Sequence, residues 1–133
     1  MRVLFSNNKE LSLMKLLLSL GSGYLGGLAN VISVTLINGL SGNLILDNQF
    51  FYKQIAWGGI WGVFYTIDVF ENNWKLKGLF VSIIATIFTF FVFQTLTISI
   101  ETLARSFFVN VLIWGGVSSF LYHNALISIS KFK

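Results

Sequence analysis

Residues 55–65 read IAWGGIWGVFY, and residues 112–122 read LIWGGVSSFLY. Each stretch places Trp-Gly-Gly at the same point and a Tyr six residues after the second Gly. At a constant offset of 57, Trp57 matches Trp114, Gly58 matches Gly115, Gly59 matches Gly116 and Tyr65 matches Tyr122. Both stretches lie inside long apolar runs. They read as two copies of one helix-packing unit, because small residues let helix backbones approach closely while the flanking rings fill the space beside them.

Working outward, the chain contains four apolar runs, at about 13–36, 54–70, 78–98 and 106–129. Three of them reach the ~20 residues that a helix needs to cross ~30 Å of hydrocarbon, and the second is slightly short. Of the 133 residues, 55% are hydrophobic and only 11% are charged, with a mean hydropathy of +0.76. A soluble domain carries about 25% charged residues, so this chain has too few to cover a water-facing surface. The expected fold is an all-α integral membrane protein. Its four transmembrane helices would form an up-down bundle within a single domain over residues 1–133. The matching stretches have two readings, a duplicated helical hairpin (2+2) and convergent small-residue packing; spans one and three match poorly, which leaves both open. A signal peptide is the competing reading of the first run. That run continues past Gly27 through Val31, Ile32, Val34 and Leu36, longer than an h-region, which favours a retained span.

The charges set the orientation. Arg2, Lys9, Lys15, Lys75, Lys77, Lys131 and Lys133 fall on one side of the four runs, and only Lys53 and Arg105 fall on the other. Both termini are therefore expected in the cytoplasm; a bacterial inner membrane is the expected location, with an organellar membrane as the open alternative. The net charge of +4 is spread over these short connections, so it signals topology and anionic headgroups, and nucleic-acid binding is not expected. With no Cys, thiolate catalysis and disulfides are excluded, and one His excludes a multi-His metal site within the chain. With no Pro, any kink must come from Gly or from inserted polar groups.

Three groups of candidate residues follow. Gly23/Gly27 and Gly58/Gly62 have GxxxG spacing, and Gly115/Ser119 is its small-residue equivalent; Gly26, Gly59 and Gly116 lie alongside. These positions are expected to pack helix on helix, with a self-association face or a pore lining as the functional alternatives. Trp57, Trp61, Tyr65, Trp114 and Tyr122 are expected as interfacial aromatics, the deeper indoles Trp61 and Trp114 requiring a partner such as Asn30, Asn110 or Gln94. Among polar residues, Asn30 and Asn110 are the deepest amides and are expected to bond across helices or to meet a ligand. Lys15, Asp68 and His123 lie near a cytoplasmic end, where they could cluster as a proton-sensing or headgroup site.

No catalytic constellation is present: no Ser beside a base and carboxylate, no paired intramembrane carboxylates and no HExxH spacing. An enzyme is not expected, nor a cofactor. Fluoride channels have a similar length and use Gly, Phe, Thr and Asn, but their order of motifs differs and their Arg-bearing first span is missing here. Small multidrug antiporters carry a carboxylate inside the first span, and this chain has none. The functional expectation is a small non-enzymatic membrane protein that works through helix packing. Its partners would be the lipid bilayer and either copies of itself or other membrane subunits. The alternative is a small ion channel or transporter built from several four-helix subunits.

Overall fold

The structure is a computed structural model that describes residues 8–42, 48–93, 104–105 and 107–131. Gln94, one of the candidate polar residues, lies outside the described residues. Where described, the chain is helical, with turns between the elements and no strand. Helix α1 runs Asn8–Leu40, and α2 runs Asn48–Gly62 and tightens into a 3₁₀ turn over Val63–Thr66. Helix α3 runs Trp74–Phe93. A π-helical stretch over Val109–Trp114 leads into α4, Gly115–Lys131.

The boundaries differ from the sequence expectation in instructive ways. Helix α2 begins at Asn48, six residues before the expected start of the second span at residue 54, and takes in Phe50, Phe51 and Tyr52. Its regular turns stop at Gly62, four residues before the last helical position, Thr66. The Thr66 hydroxyl donates to the Val63 carbonyl at 2.7 Å, and that local bond suits the tighter turn. Phe70, in the connection, has φ +53°, a left-handed conformation that is strained for a bulky residue. Its ring meets Phe80 edge-on at 5.9 Å, which helps to hold it there. Helix α3 begins four residues before the predicted Gly78, since Asn73 caps it: its side-chain oxygen accepts from the Leu76 amide at 3.3 Å.

The glycines set which helices touch. A Cβ added at Gly58 would lie 2.8 Å from the Gly23 carbonyl oxygen and 2.9 Å from the Gly27 Cα. One added at Gly27 would lie 2.6 Å from the Gln54 carbonyl oxygen, and Gly62 meets Ser19 and Gly23 in the same way. The two GxxxG faces therefore interlock backbone to backbone, with α1 and α2 antiparallel. A second, similar contact joins α3 to α4: an added Cβ at Gly78 would lie 2.7 Å from the Gly115 carbonyl oxygen, and one at Gly115 would lie 2.8 Å from the Ser82 side chain. Gly26 packs on Trp114 and Ser118, bringing α4 against α1. Trp114 Nε1 donates to the Gly23 carbonyl at 3.2 Å across the same contact. Because α1 opposes both α2 and α4, the two Trp-Gly-Gly stretches run parallel. Gly59 lies under the Tyr24 ring. Gly116 departs from the expected packing role: nothing approaches within 4 Å of a Cβ built there, because α4 turns Gly115, Ser118 and Ser119 inward instead.

Beside a small core of Val31, Tyr65, Val81, Ala85, Val109, Trp114 and Tyr122, the interior holds hydroxyl and amide side chains while many large apolar ones face outward. Ser19, Ser22, Asn30, Ser82, Thr86, Ser118 and Ser119 are buried, whereas Leu17, Leu25, Ile32, Leu36, Phe88, Phe91, Phe108, Leu112 and Phe120 are exposed. Two helical stretches, Lys9–Leu40 and Val109–Lys131, are long and apolar enough to cross a membrane, and only about a third of each is buried inside the protein.

Candidate functional site

The interior is organised around Tyr65, which is completely buried at the end of the α2 3₁₀ turn. Its hydroxyl donates to the Gly115 carbonyl at 3.2 Å and shares a 2.7 Å hydrogen bond with the Ser118 hydroxyl. Ser118 in turn bonds the Trp114 carbonyl. The Tyr65 ring lies 5.9 Å from that of Trp114 and 5.7 Å from that of Tyr122. The first tyrosine of the repeated stretches is therefore hydrogen-bonded into the second stretch. Tyr65, Trp114 and Tyr122 were expected as interfacial aromatics, and the structure buries all three: Gly and Ser on the neighbouring helices leave room for the rings, and backbone carbonyls satisfy the polar tips of Tyr65 and Trp114. The indole of Trp114 finds the Gly23 carbonyl rather than an amide side chain, because a helix carbonyl beside a glycine is open to approach.

On one side of this aromatic layer lies a cavity of about 270 Å³. Asn30, Trp57, Trp61, Thr86, Asn110 and Trp114 line it, with Lys53 and Phe50 toward the end that also carries Arg105 and Asn38. Asn30 Nδ2 donates to Asn110 Oδ1 at 3.0 Å, so the two deep amides do join across helices. The Asn30 carbonyl oxygen is buried and has no partner. Trp57 and Trp61 stack at 5.6 Å, and Trp61 continues onto Phe64 and Phe88. The cavity can hold a small solute with a hydrogen-bond donor for Asn30 and a flat or apolar body for the indoles.

The opposite end gathers the charges. Lys15 Nζ reaches Asp68 Oδ1 at 3.1 Å and Glu71 Oε1 at 3.6 Å, and Lys77 Nζ lies 3.8 Å from the same Glu71 oxygen. Lys15 and Asp68 thus meet, one contact of the possible cluster. His123 does not join Asp68: it stands beside a second cavity, of about 400 Å³, with Glu71, Trp74, Lys77, Ser119 and Tyr122. Lys77 is 4% exposed, at the turn that precedes the apolar part of α3. Burial pushes its ammonium below the usual lysine range, and the charges of Glu71 and Asp68 oppose that shift. Its Nζ also lies 5.2 Å over the Tyr122 ring. Sequence reasoning missed Lys77 and Glu71 because both fall in a connection and read as solvated. It missed Ser118 because a serine beside glycines reads as a spacer.

Comparison with protein-family models, with curated proteins and with solved structures gives no match.

Proposed function

We propose that this chain is a non-enzymatic integral membrane protein whose four helices cross lipid as an up-down bundle with both termini cytoplasmic. It works through its outer helix faces, as a homo-oligomer or as an accessory subunit of a membrane complex. The carrying observation is the inverted distribution of side chains: serines, a threonine and an asparagine inside, leucines and phenylalanines outside. In water that surface would form a large apolar patch and the hydroxyl-rich interior would bury too little hydrocarbon. In lipid the same arrangement is favourable, since small residues bring backbones together and internal hydrogen bonds satisfy the polar groups. The interlocked glycine faces are used within the chain, so partners would meet the bulky apolar faces of α1, α3 and α4. Lys53 and Arg105 at one end, against Lys15, Lys75, Lys77 and Lys131 at the other, support the orientation.

Alkaline carbonate extraction of native membranes tests the insertion. The chain should stay in the pellet, and release into the supernatant would refute the reading. Isolation in mild detergent then distinguishes copies of the chain from a mixed assembly; a lone monomer that binds nothing refutes a packing role.

A second reading, a small channel or transporter, draws on one observation. Two cavities, one holding Asn30 and Asn110 and the other Lys77 and His123, lie on either side of the ring cluster of Tyr65, Trp114 and Tyr122. Liposome flux that is abolished by enlarging Ser118, beside Tyr65, would favour it over the accessory role.

A further inference from the structure

We infer that the cavity between the first turn of α3 and the C-terminal part of α4 is a binding site for a phosphate-bearing anion, held by Lys77 and Tyr122. Two side-chain donors there make no hydrogen bond among the described residues, and one of them, the phenol, is buried. Lys77 Nζ has three N–H groups, and the nearest carboxylate oxygen, on Glu71, is 3.8 Å away, beyond hydrogen-bond reach. The Tyr122 hydroxyl, on a residue 2% exposed, has no partner at all. Buried polar groups without partners are rare in folded proteins and point to something that completes them.

The surroundings select the sign and the shape of that ligand. Asp68 and Glu71 carry two negative charges against Lys15 and Lys77, and Lys75, which lies 5.8 Å from the Trp74 ring at the same turn, adds one positive charge. Of these, Lys77 and Glu71 line the cavity, and Glu71 is also paired with Lys15 at 3.6 Å, which leaves Lys77 as the cation available to a ligand. Ser119 is already committed, donating to the Trp74 carbonyl at 2.5 Å, so it does not compete for the donors. His123 at the rim supplies a further donor. The volume, about 400 Å³, has room for about a dozen waters, enough for a tetrahedral group and its linkage. A phosphate ester offers several acceptor oxygens to satisfy an ammonium and a phenol together, which a halide or a single carboxylate oxygen does not.

This inference rests on the membrane reading, under which the site lies at the cytoplasmic headgroup level, and the ester is then either a phospholipid headgroup or a soluble phosphate compound. The full chain is reconstituted in vesicles of phosphatidylcholine with roughly a third phosphatidylglycerol, a composition that supplies anionic headgroups. It is then extracted in mild detergent, and bound lipid is read by native mass spectrometry. The parent should retain phosphatidylglycerol, Lys77→Gln and Tyr122→Phe should each lower its occupancy about tenfold, and Arg105→Gln, at the opposite end, should match the parent. Tyr122→Phe preserves the ring packing, so it reports on the hydroxyl even where Lys77→Gln folds poorly. In a second arm inorganic phosphate is titrated against the loaded protein. Displacement at millimolar concentration assigns the site to soluble phosphates, and retention assigns it to the lipid; both support the site. Equal lipid retention by the parent and Tyr122→Phe, with no response to phosphate, overturns it. Chains that fail to float with the vesicles refute the membrane reading instead.

Discussion

Replacing Gly58 by Ala tests the close contact of α1 and α2 most directly. The new methyl carbon would start 2.8 Å from the Gly23 carbonyl oxygen and 2.9 Å from the Gly27 Cα, whereas ordinary contact begins at 3.4 Å. The shortfall is 0.6 Å against the nearest atom, and both obstructing atoms belong to backbone. No rotamer change can relieve it, so α1 and α2 must separate along the whole interlocked face, from Gly62 against Ser19 to Gly27 against Gln54. Overpacking of this kind costs about 1–3 kcal/mol. The matched control is Gly116→Ala, one position beyond the partner of Gly58 in the repeat. It meets nothing within 4 Å and adds up to ~1 kcal/mol of helix propensity. Unfolding of both variants in mixed detergent and dodecyl sulfate, followed by circular dichroism, should place Gly58→Ala well below the parent and Gly116→Ala at or above it. A Gly58→Ala protein as stable as the parent, or a Gly116→Ala protein equally damaged, would falsify the interlocked backbone.

Tyr65→Phe removes the hydroxyl bonded to Gly115 and Ser118 and should lower stability by about 1–2 kcal/mol in the same assay; no change would remove Tyr65 from the role of central tie. Asn30→Leu and Asn110→Leu should each destabilise, and their double-mutant cycle should return a coupling of about 0.6–2 kcal/mol for the 3.0 Å amide bond, whereas strict additivity would deny it. Asp68→Asn should leave stability unchanged, since the Asp68 side chain is 72% exposed and its pair with Lys15 is screened; a clear loss would show a buried role for the pair. The depressed Lys77 ammonium gives a pH signature. In the folded protein it loses its proton below its ordinary value of 10.5, so between the two values the unfolded chain holds more protons and stability rises with pH. Unfolding at about pH 8 and about pH 10 should show that rise in the parent relative to Lys77→Met, and parallel changes in both would contradict it.

The sequence by itself determined the helical class, because apolar run length is a local property. It also determined that Gly23, Gly27, Gly58 and Gly62 would pack, since i, i+4 spacing puts small residues on one helix face whatever the partner. That Asn30 and Asn110 would bond across helices was legible, as deep polar groups in apolar runs need partners, but that they bond to each other was not. Only the tertiary structure decided which of two adjacent glycines turns inward: Gly115 packs and Gly116 does not, and that depends on the rotation of α4 against α3. It also buried Tyr65 and Tyr122, expected as interfacial aromatics, inside the protein, and gave Trp114 the Gly23 carbonyl as its partner, because such rings are buried only where neighbouring helices leave volume for them. The charged end shows the same limit. Lys15, Asp68, Glu71 and Lys77 are up to 62 positions apart in the chain, and their meeting depends on how the helices are placed beside one another, a relation that no single stretch of sequence encodes.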